Sequence, residues 1–87
     1  ITVYYYDRFA DYGLAQSFEE PLSQLSALPF RGISFGDYYV LRENERPSVL
    51  LELGYLSNRS DAAVVATNGY QEAVTTAIVN AVRQYLQ

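Results

Sequence analysis

Pro47-Ser48-Val49-Leu50-Leu51-Glu52-Leu53-Gly54-Tyr55-Leu56-Ser57-Asn58 is the stretch on which the fold turns. From Ser48 to Leu53 it is apolar on both alternating faces, the pattern of a central strand covered by helices on each side, with a single carboxylate near its end. Gly54 and the polar pair Ser57-Asn58 mark the passage from strand to loop. Asn58 suits the N-cap of a short helix from about Arg59 to Ala66, and Asp61 three residues on sits near its positive end.

Downstream, Tyr70, Ala73, Val74, Ala77, Ile78, Ala81, Val82 and Tyr85 share one helical face, so a helix is predicted from about Tyr70 to Tyr85. Asn68-Gly69 reads as the stop and cap before it. Upstream, the β-branched and aromatic run Ile1-Thr2-Val3-Tyr4-Tyr5-Tyr6 reads as a strand already under way, as in a fragment or a processed chain. Leu14, Phe18, Leu22, Leu25 and Leu28 recur every three or four residues, predicting an amphipathic helix within Ala10 to Leu28 that kinks or breaks at Pro21 and ends before Pro29. Arg31 to Asp37 reads as a short strand or extended loop, Tyr38 to Leu41 as a second short strand, and Glu43 to Pro47 as an exposed connection.

The order of elements predicts an α/β fold: a mixed sheet flanked by helices, with some parallel pairing. Parallel neighbours need crossovers and a central strand needs cover on both faces, so these strands look like an incomplete part of a larger domain. Residues 1–87 are read as one domain or part of one.

Composition narrows the chemistry. The chain has 87 residues, six arginines and no lysine against ten acidic residues, and its arginines are scattered, so no nucleic-acid partner is expected. It has neither cysteine nor histidine. That removes disulfides, thiolate sites and the commonest metal ligand and general base. No apolar run approaches the ~20 residues that span a bilayer, so no membrane span is expected.

Glu52 is the residue to explain, because an ionised carboxylate in an apolar strand costs several kcal/mol unless compensated, on the order of a small domain's net stability. Two compensations are open. Arg42, at the end of the preceding predicted strand, could lie beside it as a bidentate partner. Alternatively Glu52 stands at the carboxyl end of its strand, where ligands of open α/β sheets gather.

The string Val40 to Asn58, VLRENERPSVLLELGYLSN, resembles the C-terminal signature of zinc-dependent N-acetylmuramoyl-L-alanine amidases of the type 3 family: Val40-Leu41-Arg42, a short loop, Pro47, the apolar strand to Glu52, then Gly54, Tyr55 and Ser57-Asn58. The Thr2 to Tyr5 strand, the Leu14-Ala15 helix and the closing helix follow in family order. The resemblance implies that residues 1–87 are the C-terminal part of a single amidase catalytic domain. It implies a peptidoglycan hydrolase of autolysin type, cleaving the amide between N-acetylmuramic acid and L-alanine by zinc-assisted water attack with Glu52 as general acid/base. A periplasmic or extracellular, cell-wall location follows from that substrate.

The family's zinc ligands, two histidines and a glutamate, belong to motifs upstream of Ile1, so no metal ligand is assigned within this chain, which taken alone is expected to be inactive. Arg42, Tyr55 and Asn58 are candidates for contact with substrate or with Glu52. Each also has a plainer reading: Arg42 as a solvated or paired side chain, Tyr55 as rim packing, Asn58 as a helix cap. Two other functions stay open: a non-catalytic cell-wall-binding or regulatory module that keeps the amidase framework, and a different metallohydrolase or structural α/β domain with a buried Glu52–Arg42 pair. A regulatory partner that holds the activity in check also stays open.

Overall fold

The computed structural model describes all residues, 1–87. Its order is β1 (Thr2–Tyr5), α1 (Tyr12–Ser17), α2 (Glu19–Ser23), β2 (Gly32–Phe35), α3 (Tyr39–Arg42), β3 (Leu50–Glu52), α4 (Arg59–Val65) and α5 (Asn68–Leu86). The three strands form a mixed sheet in the order β2-β1-β3, with β1 parallel to β2 and antiparallel to β3. The expected α/β class with one parallel pair is therefore what is found.

The register assigns the faces. Val3 lies opposite Ile33 and Leu51, while Thr2 and Tyr4 lie opposite Gly32 and Ser34 on one side and Glu52 and Leu50 on the other. Because side chains alternate along a strand, these are the two faces of the sheet. Val3, fully buried, packs with Ala15, Phe18, Leu22, Val74, Ala77 and Ala81, with Ile33 and Leu51 against the same cluster. The helices α1, α2 and α5 thus cover the Val3 face, and the face of Thr2, Tyr4 and Glu52 looks the other way.

Four elements depart from expectation. β3, expected to be central and covered twice, pairs on one side only within residues 1–87, where β1 lies between it and β2, and every residue of β3 is half-buried. The predicted strand at Tyr38 to Leu41 is instead the single turn α3, since the carbonyl of Tyr38 accepts from the amides of Leu41 and Arg42 and that of Tyr39 from Glu43. Local β propensity gave way to this turn, which buries Leu41.

The first helix breaks at Phe18, three residues before Pro21. Proline is still the cause, because Pro21 has no amide to donate to Ser17 and its ring crowds that carbonyl, whereas it is tolerated in the first turn of α2. Finally, α5 begins at Asn68, capped by Thr67 Oγ1, which accepts from the Tyr70 amide at 3.2 Å. Asn68 and Gly69 are therefore first-turn residues, not the stop.

One buried carboxylate knits the loops together. Asp11, 1% exposed, accepts the amides of Tyr6 and Asp7 on Oδ2 and that of Ser48 on Oδ1. It joins the exit of β1 to the entry of β3 and so helps set the register of the strand that carries Glu52.

Candidate active site

Glu52 is the last residue of β3, half-buried, opposite Thr2 at the start of β1. Neither ion pair of the chain involves it, and its oxygens are not among the sealed, unpartnered polar atoms. The carboxylate is therefore reachable by solvent and in no ion pair, though the Ile1 ammonium feels its charge from further off. Its charge is felt by the Tyr4 phenol, whose pKa is raised above the ordinary tyrosine value by burial first, then by Glu52, with smaller contributions from Tyr38 and Tyr55.

The segment after Glu52 is fixed at several points. The Tyr70 hydroxyl donates to the Leu53 carbonyl at 2.6 Å, and burial, with Asp61 adding, pushes that phenol's pKa up. Gly54 has φ +155°, and a Cβ there would come within 2.8 Å of Val65 Cγ2, so both backbone and packing call for glycine. Asp61 Oδ2 accepts from the Tyr55 amide at 3.0 Å while the Asp61 amide donates to Asn58 Oδ1 at 3.1 Å. The strand that delivers Glu52 thus ends in a clamped loop.

The structure separates the residues grouped by the sequence. Arg42 lies on α3, paired with Asp37, with Glu43 at 3.7 Å and its guanidinium 5.8 Å from the Tyr39 ring centroid. The alternative in which Arg42 neutralises Glu52 is thereby overturned: the expected strand that would have aligned the two is a helical turn. Asn58 serves as the α4 cap. Tyr55 is exposed, with the Arg31 guanidinium 6.0 Å from its ring centroid.

Tyr4, which from sequence reads either as a sugar-stacking tyrosine or more plainly as strand packing, and Asp11 were not singled out as site residues. Tyr4 shares the Glu52 face, and the Tyr38 ring meets it edge-on at 5.2 Å between centroids. Only the register reveals this, since a tyrosine in a strand reads equally well as packing; the period of two could have offered Tyr4 as a candidate once the pairing was known. Asp11 gave no signal, because its partners are distant backbone amides.

The residues present do not fit a metal. There is no histidine or cysteine, and no group of three or more acidic side chains lies close enough together to hold an ion. The surface depressions run along α5 and α2, and Glu52 lines none of them. What the site offers is an unpaired, half-buried carboxylate on the face turned from α1, α2 and α5, opposite a buried Thr2 and with phenols on the same side.

Comparison with known proteins places this arrangement. Residues 1–84 match the family model described as N-acetylmuramoyl-L-alanine amidase. The chain belongs to that amidase family. A putative N-acetylmuramoyl-L-alanine amidase, YrvJ of Bacillus subtilis, is 45% identical over 82 residues, 94% of this chain and 16% of that protein. The probable cell wall amidase LytH of Staphylococcus epidermidis is 35% identical over 85 residues, 98% of this chain and 29% of that protein.

Among solved structures, the catalytic domain of CwlV, an N-acetylmuramoyl-L-alanine amidase from Bacillus (Paenibacillus) polymyxa, superposes with a TM-score of 0.90 at 33% identity. The amidase AmiC2 of Nostoc punctiforme does so at 0.89 and 36%. This amidase-family chain covers 47% of each of those two chains, and they cover 98% and 99% of it. The mixed sheet with its helices is thus part of the amidase catalytic fold.

Proposed function

We propose that residues 1–87 form the C-terminal part of a single amidase catalytic domain and supply its general acid/base, Glu52, for cleaving the amide bond between N-acetylmuramic acid and L-alanine in peptidoglycan. The observation that carries this reading is the state of Glu52: half-buried at the end of β3, on the face turned from the helices, with no cation bound to it. A carboxylate kept for structure is normally paired or hydrogen-bonded when it leaves water. The family match supports the substrate.

The chemistry asked of Glu52 is proton transfer. Its carboxylate takes a proton from water as the water oxygen bonds to the scissile carbonyl carbon, and then delivers that proton to the alanine nitrogen as the carbon–nitrogen bond breaks. The products are a carboxylic acid on the muramic side and a free amine on alanine. Zinc, which would act as a Lewis acid in such a reaction, finds no ligand set in this chain, so its ligands are proposed to lie outside residues 1–87, and no step described here runs through it. Tyr55 is proposed to contact the substrate beside Glu52, whereas Arg42 and Asn58 are given no such part, being occupied by Asp37 and by the α4 cap.

A periplasmic or extracellular site of action is part of the same proposal, because peptidoglycan lies outside the cytoplasmic membrane. LytH, described as a probable cell wall amidase, supports it. No helix is long and apolar enough to cross a membrane. The rival, a non-catalytic wall-binding or regulatory module, draws on the missing ligand set.

One experiment separates the two. Glu52→Gln in the full-length protein should reduce release of L-alanine-terminated peptides from purified sacculi by about 10²–10⁴-fold, the usual contribution of a general acid/base, with the far-ultraviolet circular dichroism spectrum unchanged. Full activity in the variant would end the assignment of Glu52. Absence of hydrolysis by the parent protein, with binding to sacculi retained, would favour the module.

A further inference from the structure

Glu52 is not the only charged group left unanswered at its end of the sheet. Both ion pairs of the chain belong to Arg42, so the exposed Arg31 is in none. The register sets its place: Arg31 precedes Gly32, Gly32 lies opposite Thr2 on one side of β1, and Glu52 lies opposite Thr2 on the other. With strands about 4.8 Å apart, the backbones at Gly32 and Glu52 are separated by on the order of 10 Å. The Arg31 guanidinium lies 6.0 Å from the ring centroid of Tyr55, which follows Glu52 by three residues.

Both partners are held by their backbones. The Arg31 amide donates to the Ile1 carbonyl at 2.6 Å, tying the residue to β1. Gly32 follows with φ +104° and open space where a Cβ would stand, so this glycine serves the bend that leads from Arg31 into β2 and not close packing. The Tyr55 amide donates to Asp61 Oδ2 at 3.0 Å. The pKa of the Ile1 ammonium agrees with the placement: burial lowers it most, Arg31 lowers it further, and Glu52 and Asp61 oppose both.

A cation kept for stability at this end would have Glu52 or Asp61 to close on; Arg31 takes an aromatic ring instead. A guanidinium over a ring face is steadied while its N–H groups stay available to another partner. We infer, resting on the reading of this chain as part of a peptidoglycan amidase domain, that Arg31, seated on Tyr55, binds a free carboxylate of the peptide on the alanine side of the scissile bond. N-acetylated sugars offer no anion, whereas the peptide carries carboxylates, the planar partners that a guanidinium holds through two parallel bonds. An extended peptide advances about 3.3–3.6 Å per residue, so a span on the order of 10 Å puts that carboxylate within about three residues of the bond cut beside Glu52. Binding there fixes the direction in which the peptide crosses the site and selects acidic peptides over amidated ones.

Arg31→Gln removes the charge and keeps the amide bonded to Ile1. The assay takes the full-length protein and a soluble muramyl peptide, with its carboxylates either free or converted to amides. For the free acid, KM should rise about tenfold with kcat unchanged, as when an interaction made equally in ground and transition states is lost. The amidated peptide should show the higher KM already with the parent, and no further rise with the variant. Arg31→Lys, which keeps the charge and loses the fork, should recover part of the loss. Added salt should weaken the parent's preference for the free acid.

A purely structural role for Arg31 would raise KM equally for both peptides, and that result, or the parent KM for both, overturns the inference. Glu52→Gln inactive in the same assay would show that such a failure belongs to Arg31 alone. Should the parent protein leave both peptides uncut, the amidase reading falls and this inference with it. If Arg31→Gln fails to fold, a parent that takes acid and amide with the same KM overturns it.

Discussion

Replacing Asp11 by Asn changes one atom in a side chain that is 1% exposed and holds two distant parts of the chain together. Oδ2 accepts from the amides of Tyr6 at 3.3 Å and Asp7 at 3.0 Å, and Oδ1 from the amide of Ser48 at 3.0 Å. An asparagine has one acceptor oxygen and one NH2 group. Whichever way it turns, an NH2 faces a backbone amide. If the oxygen stays with Tyr6 and Asp7, Ser48 loses its acceptor; if it turns to Ser48, two amides lose theirs.

The first orientation costs less. It leaves one part-buried donor unpaired, at about 1–3 kcal/mol, and downgrades two bonds from a charged to a neutral acceptor. Together these give an expected loss of about 2–3 kcal/mol, against a total near 0.05–0.15 kcal/mol per residue for small domains. In urea, with a slope of about 1–1.5 kcal/mol per molar for a protein of this size, the unfolding midpoint followed by circular dichroism should fall by roughly 2 M. Hydrogen exchange adds a local check, because the Ser48 amide should lose protection ahead of its neighbours in β3. A midpoint within about 0.3 M of the parent with an unchanged slope, or a Ser48 amide still protected, would refute the reasoning.

Tyr70→Phe deletes the 2.6 Å bond to the Leu53 carbonyl and should cost about 1–1.5 kcal/mol, seen as a Tm lower by roughly 4–12 °C. Because the Tyr70 pKa is raised in the fold from the ordinary 10.0, its contribution is complete below that value and is lost as pH rises through the folded pKa. The variant should therefore show a shallower loss of stability above about pH 10 than the parent. Asn58→Ala removes the α4 cap and should cost about 1 kcal/mol in urea unfolding, with faster exchange at the Asp61 amide.

The sequence carries its clearest information where local chemistry and tertiary structure agree. The stripe of Tyr70, Val74, Ala77 and Ala81 predicts α5, and those residues are buried in it. Asn58 announces a cap and is one. Glycines and β-branched residues outline β1 and β2. Agreement fails where a short apolar or aromatic run is settled by distant groups. Tyr38 to Leu41 has strand composition but closes into one turn over a buried Leu41, and Val49 to Leu53 reads as central although β1 takes the centre. Glu52 was visible as an anomaly, while its freedom from Arg42 was not, because that depended on α3 being helical. Tyr4 and Asp11 could not be found from spacing, since one needs the strand register and the other bonds only to backbone.

Two carboxylates on the same few strands and loops are treated by the fold in opposite ways. Asp11 is withdrawn from water and given three backbone donors, so its charge is fully answered within the fold and it has no lone pair directed at solvent chemistry. Glu52 is only half-withdrawn and bound by none. Had stability alone shaped β3, an apolar residue at position 52 would have avoided the desolvation cost, or an arginine could have answered it; Arg42, ten residues away in sequence, is instead committed to Asp37. The clamps that surround Glu52, from Tyr70 on Leu53, from Asp61 on Tyr55 and from Asp11 on Ser48, all grip backbone and leave the carboxylate itself alone. A rigid frame around an unsatisfied acid is the arrangement that the proposed proton transfer requires, because it fixes the strand that carries the carboxylate without filling the lone pairs such a step would use.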